Sequence, residues 1–223
     1  MKIEELEALF RELHEKAQSL IIIGKAYEGR RLINVRFIGQ IKDIEERNRI
    51  VFYKFRPLLI PFFVSKNNNE IRVILPTKGE KSYEAVLRVL EIDNGTLYTE
   101  YPKKIFNVRS LRIEPSINKP INLYLLIYGE PSTLAEVINI SESGICFVTE
   151  RELKVNGDYG FTIILPDNLG IITCYGEIRY KLEDRPGFFR YGAKLKIHPK
   201  DQAIINRYIM QREKEILNML KVI

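Results

Sequence analysis

The 223-residue chain contains no tryptophan, two cysteines and two histidines. Cys146 and Cys174 are too few for a disulfide framework, and no Cys-x-x-Cys knuckle is available to hold zinc. With His14 and His198 as the only imidazoles, a histidine-rich metal site or a Ser-His-Asp centre has little to build from. No Gly-x-x-x-x-Gly-Lys-Ser/Thr loop occurs, so nucleoside triphosphate hydrolysis has no support. The longest apolar run, Leu58 to Val64, is interrupted by Pro61 and is far too short to span a membrane. The start, Met1-Lys2-Ile3-Glu4-Glu5, is unlike a signal peptide, and the expected location is cytoplasmic. Charge of one sign is also scarce. Thirty-five Lys and Arg against 29 Asp and Glu leave +6, and the parts before and from Phe106 carry +4 and +2. That balance permits an anionic partner but lacks the basic footprint of a nucleic-acid binder. The expectation is a protein without catalytic residues, metal or cofactor.

What is present is ordinary globular material, 45% hydrophobic and 29% charged, long enough for one large domain or two small ones. Ile3, Leu6, Leu9, Phe10, Leu13, Ala17 and Leu20 recur at helical spacing, which predicts an amphipathic helix over residues 1–19. Its stripe suits either packing on its own domain or a seam with a second copy of the chain. From Leu20 the texture becomes short β-rich segments: Leu20–Ala26, Leu32–Ile41, Arg49–Phe55, Ile60–Val64, Glu70–Leu75, Tyr83–Ile92 and Thr96–Tyr101. Asp93-Asn94-Gly95 is the strongest hairpin signal, since Asn-Gly readily takes positive φ. A basic stretch follows between Pro102 and Pro120, read as an irregular linker at the domain junction. Strand patterning then resumes over Ile121–Tyr128, Leu134–Ile140, Ile145–Thr149, Asp158–Leu165, Ile171–Lys181 and Phe188–Ile197, before a helix from Gln202 to about Val222. The predicted fold is mainly β: two small antiparallel β-barrel domains, with the N-terminal helix at one end and the C-terminal helix packed on the second barrel. The corresponding segments are 1–19, 20–104 and 105–223.

One local constellation carries chemical information. Asn139-Ile140-Ser141-Glu142-Ser143-Gly144 lies between two predicted strands and matches (Asp/Asn)-x-Ser-x-x-Gly. Any turn uses such residues, but the surroundings narrow the reading. Arg109 and Arg112 lie about 30 residues upstream, a closing strand Tyr191-Gly192-Ala193-Lys194-Leu195 follows, and the last helix carries Gln211-Arg212. Arginine's planar fork pairs bidentately with phosphate oxygens or with the O6/N7 edge of guanine. An Asn oxygen accepts from guanine N1–H and N2–H, a Ser hydroxyl reaches phosphate or ribose, and Gly admits close backbone approach.

This layout resembles a PilZ domain, the bacterial receptor module for cyclic di-GMP, over roughly residues 105–220. The preceding β domain is similar in position and size to that of flagellar-brake-type PilZ proteins. The resemblance implies a cyclic di-GMP effector in which Asn139 and Ser141 are polar ligands, Gly144 is the turn residue, and Arg112 with Arg109 clamps the dinucleotide at the domain junction. It further implies a change of interdomain orientation, and a protein partner in flagellar or pilus machinery, in control of motility or biofilm. The family's Arg-x-x-x-Arg is here Arg109-x-x-Arg112, because Val108 stands where the first arginine belongs. One bidentate arginine contact is worth about 1–3 kcal/mol, or roughly 5- to 150-fold in affinity. Two readings therefore stand: a nucleotide receptor, and a degenerate PilZ adaptor that works through protein contacts alone.

Other features have plainer readings. Gly29-Arg30-Arg31 through Arg36 reads as a solvated strand edge. Cys146 and Cys174 fall in strand patterns as small buried residues. His14-Glu15 lacks the second histidine of a zinc protease motif, and His198-Pro199 reads as a helix-start turn.

Overall fold

A computed structural model of the chain describes residues 3–45, 49–56, 69–76, 82–102, 104–108 and 112–221. The chain divides into two compact units, Met1–Arg109 with Ile216–Ile223, and Ser110–Glu215.

The first unit opens with helix α1 (Ile3–Glu15). Leu6, Phe10 and Leu13, three and four residues apart, are buried, and Phe10 meets Tyr101 edge-on at 5.6 Å between ring centroids. The helix closes with Ala17 at φ 46, while the Gln18 amide donates back to the Leu13 carbonyl at 3.0 Å. Gln40 Nε2 donates to the freed Ala17 carbonyl at 2.8 Å. The apolar stripe is thus covered by its own unit.

Strands β1 (Leu20–Glu28), β2 (Arg31–Glu45), β3 (Arg49–Arg56), β4 (Glu70–Pro76), β5 (Ser82–Asp93), β6 (Thr96–Glu100) and β7 (Lys104–Val108) form one antiparallel sheet. Its order is β4-β1-β2-β3-β6-β5-β7, and β4 also pairs with β5, so six strands close a hydrogen-bonded circuit with β7 outside it. Asn94 and Gly95, at φ 44 and 76, form the tight β5–β6 turn expected from the sequence. One expectation changes. Residues 104–108 are not linker but a strand, registered from Val86↔Lys104 to Ser82↔Val108. Lysine and asparagine flank only Ile105 and Phe106, so the segment has no alternation to read; its pairing to β5 makes it a strand. Across Arg31–Arg36 the ladder of β2 runs to β1, in keeping with the strand edge expected there, and β3 joins β2 only over Ile38–Glu45. The expected strand Ile60–Val64 lies outside the described residues.

The second unit holds β8 (Asn122–Leu126), β9 (Thr133–Ser141), β10 (Gly144–Thr149), β11 (Asp158–Leu165), β12 (Gly170–Arg185) and β13 (Phe188–Lys196). They form a closed barrel in the order β10-β13-β12-β11-β8-β9. Alternation puts Leu123, Leu125, Ile140, Ile145, Phe147, Phe161, Ile163, Ile172 and Tyr191 inside, each fully buried. Each such side chain contributes about 1.5–3 kcal/mol by leaving water. Phe147 packs against Phe161 and Tyr191 at 5.8 and 5.7 Å between centroids, and the Tyr191 hydroxyl accepts from the Leu153 amide at 2.8 Å. Helix α2 (Pro199–Lys221) follows β13. His198 caps it: its carbonyl accepts from the Gln202 amide at 3.0 Å, its Nδ1 from the Lys200 amide at 3.3 Å, and Pro199 takes the first helical position. Among the described residues, no helix is long and apolar enough to cross a membrane, and no cluster of three metal-ligating side chains occurs.

Candidate functional site

The (Asp/Asn)-x-Ser-x-x-Gly motif is the β9–β10 hairpin. Ser141 pairs with Gly144, leaving Glu142 and Ser143 as the turn, and Cys146 pairs with Asn139. The next pairing is Phe147 with Val137, so Ile138 is an extra residue and β9 bulges immediately before Asn139. The Ser141 hydroxyl is fully buried and donates to the Gly144 carbonyl at 3.2 Å. A side chain at position 144 would place Cβ 3.0 Å from the Ala193 carbonyl, so glycine lets β10 and β13 close together here. The Leu195 amide donates to the Ser143 carbonyl at 2.9 Å and ties the turn to β13. The turn is thus held both within the hairpin and from β13.

Asn139 is the unusual member. Its Oδ1 is buried and has no hydrogen-bond partner among the described residues. An amide oxygen left this way costs about 1–3 kcal/mol. Such a group calls for an explanation, since buried polar atoms are otherwise almost always paired.

Register brings further residues to Asn139 from distant sequence. Cys146 pairs with Asn139 on one side and Gly192 on the other, and Gly192 pairs with Tyr180. One lateral row across four strands therefore reads Asn139, Cys146, Gly192, Tyr180. The parallel row through Ser141 and Gly144 continues to Lys194, which is exposed, and Glu177. A Cβ on Gly192 would lie 2.1 Å from Tyr180 Cε1, so the missing side chain is what lets the tyrosine ring lie against β13. The Tyr180 hydroxyl reaches Cys146 Sγ at 3.5 Å.

Arg112 reaches this group from the segment leading into the barrel. Its neighbour Ile113 makes a two-bond antiparallel bridge with Ile140, amide to carbonyl at 2.9 Å in both directions. That bridge sets Arg112 beside Ser141 and Glu114 beside Asn139. The guanidinium is solvent-exposed and borders the Tyr180 hydroxyl. Burial raises the Tyr180 phenol pKa, the Cys146 thiol acts in the same direction, and the Arg112 cation opposes both. Arg109 lies outside the described residues. Of the five residues expected from the sequence, Arg112, Asn139, Ser141 and Gly144 thus converge on one face of the barrel. Tyr180, Gly192 and Lys194 were not anticipated as members. Tyr191-Gly192-Ala193-Lys194 was legible as a strand, but its partners follow only from barrel register.

Compared with known proteins, residues 109–211 match the family model described as the PilZ domain. An uncharacterized protein of Aquifex aeolicus is 33% identical over 112 residues, which cover 50% of this chain and 52% of that protein. The chain thus spans about half the length of the curated relative it matches. Among solved structures, the K. pneumonia MrkH–c-di-GMP complex is 16% identical with a TM-score of 0.47, covering 98% of this chain and 97% of that one. Escherichia coli YcgR in complex with c-di-GMP is 15% identical with a TM-score of 0.44, covering 99% and 98%. The Bacillus subtilis inhibitor of motility (MotI/DgrA) is 17% identical with a TM-score of 0.40, covering 86% and 95%.

Proposed function

We propose, from the premise that residues 109–211 belong to the PilZ domain family, that this chain is a cyclic di-GMP receptor and not an enzyme. The observation that carries the reading is the buried Oδ1 of Asn139, unpartnered among the described residues, on the face that Arg112 borders. A guanine offers N1–H and N2–H to that oxygen, while its O6/N7 edge or a phosphate takes the Arg112 fork. Lys194, in the row of Ser141 and Gly144, is a second cation at the same face and suits the other phosphate. It offsets part of what Val108, in place of an arginine, removes. The Tyr180 ring forms the far wall of the row, a flat apolar surface of the kind bases stack on. Arg109 is the further arginine candidate, on sequence grounds. The output is a contact with a cytoplasmic protein partner of the motility or pilus machinery, made in one ligation state and not in the other.

Calorimetry with cyclic di-GMP on the full chain tests this. Wild type is expected to bind, and Arg112→Ala and Asn139→Ala to bind roughly 5- to 150-fold more weakly, the range of one specific contact. No heat at high micromolar ligand overturns the receptor reading in favour of a nucleotide-independent adaptor. Unchanged affinity in both variants moves the site elsewhere.

A further inference from the structure

Helix α2 carries an irregularity that ligand binding alone does not explain. Its buried stripe runs Ile205, Tyr208, Arg212, Ile216, with Arg212 only 3% exposed where the helical period calls for an apolar residue. Burying a guanidinium is costly, and the cost is offset only where its partners are well placed and its donors are satisfied. Arg212 therefore has a task that packing does not supply. Its Nε donates to the Glu114 carbonyl at 3.1 Å, and its Nη1 lies 3.5 Å from Glu215 Oε2. Glu215 is itself held: Gln211 Nε2 bridges it and Asp167 at 3.4 and 3.3 Å, and Lys119 pairs with Asp167 at 2.7 Å. The guanidinium is fixed from the helix side and from the β11–β12 turn.

Glu114 is two residues from Arg112, and between them stands Ile113 with its paired bonds to Ile140. The bridge fixes one residue by its backbone. The Arg212 bond adds a side-chain hold on the next residue, Glu114, on the far side of Ile113 from Arg112. We propose that Arg212 is a positioning residue for the ligand site: by holding the Glu114 carbonyl it stops the segment from turning about the Ile113–Ile140 bridge and keeps Arg112 at the Asn139 face. The inference rests on the receptor reading for its effect on affinity, but the pinning is a property of the unliganded protein. A pre-placed arginine avoids an ordering cost on binding, so loss of the pin weakens binding without removing any ligand contact.

The test uses the full chain with Arg212→Met, which keeps the stripe apolar, and Arg212→Lys, which keeps the charge without the Nε donor. Three readouts are taken: cyclic di-GMP affinity, thermal midpoint, and hydrogen exchange of the Ile113 amide without ligand. Positioning predicts about 10-fold weaker binding in both variants, the scale of one hydrogen bond to a charged group. It also predicts faster Ile113 exchange in both variants, with a lowered midpoint in Arg212→Met, which takes the guanidinium from the Glu114 carbonyl and Glu215. Because Arg212 acts through Arg112, adding either variant to Arg112→Ala is expected to weaken binding no further. Wild-type affinity in the single variants, or an equal loss in the Arg112→Ala background, overturns the proposal. Should Arg212→Met not fold, Arg212→Lys carries the same comparisons. If wild type takes up no nucleotide, the receptor reading fails by itself. Ile113 exchange then still decides the pin: faster in the variants supports it, unchanged refutes it.

Discussion

At the residue scale, the site depends as much on missing atoms as on functional groups. Gly192→Ala would drive Cβ to 2.1 Å from Cε1 of Tyr180 and 2.5 Å from its Cζ, so the ring must leave β13 and its contact with Cys146. A clash of this kind costs about 1–3 kcal/mol. In a Tyr180→Ala background the same substitution is expected to cost almost nothing, and chemical denaturation of the four-member cycle measures the difference. Asn139, Ser141 and Gly144 were legible as one candidate group because a hairpin keeps them within six positions of sequence. Tyr180 and Lys194 were not, because 41 and 55 positions separate them from Asn139 and only strand register brings them near. Cys146 was read correctly as a small buried residue, yet its sulfur also receives the Tyr180 hydroxyl. Side-chain type alone does not reveal such a second role.

At the element scale, α2 shows what periodicity reaches and where it stops. In the sequence Ile205, Tyr208, Ile209, Ile216 and Leu220 make an apolar stripe with a gap at Arg212; that the gap is buried against a backbone carbonyl shows only in the structure. The helix start falls three residues before the expected Gln202, at Pro199, because His198 supplies the cap. Histidine is an indifferent cap. Aspartate there would offer a carboxylate to the same amides and to the positive end of the helix, so His198→Asp is expected to gain about 0.5–1 kcal/mol. Thermal unfolding should register a rise of about 1–4 °C with unchanged nucleotide affinity. Strand β7 escaped sequence reading for the opposite reason. It has no intrinsic pattern, and β5 supplies the ladder that defines it.

At the scale of the whole molecule, the mainly β composition, the two β-rich modules and the terminal helices were all readable from spacing and turn chemistry. Barrel architecture was readable too, from short strands at even spacing; the order of strands round the barrel was not, since alternation tells which face is buried but not which strand is the neighbour. Global stability should carry a mark of the buried acids. Burial pushes the Cys174 thiol from 9.0 up to about 11, with the Asp201 carboxylate adding to the shift. Burial likewise raises the Tyr101 hydroxyl from 10.0 to about 12, helped by Glu7 and opposed by Arg11. In both cases the folded chain holds its proton longer than the unfolded one. Their contribution is therefore complete below pH 9 and is lost as pH rises from about 9 to 12. Denaturation midpoints across that window should fall. Tyr101→Phe should flatten the part above pH 10, and because its hydroxyl has no hydrogen-bond partner among the described residues, it should cost little at neutral pH.

The pairing of β10 with β13 joins residues 144–149 to 189–194, and the candidate site straddles that seam, with Asn139 and Cys146 on one side and Gly192 and Tyr180 on the other. Contacts this far apart in sequence bear their loop-closure entropy before they return any energy. During folding the two halves of the site accordingly stay apart until the barrel zips shut. On the proposed receptor reading, a chain whose barrel is still open has no site to offer, and ligand stabilises only the completed fold.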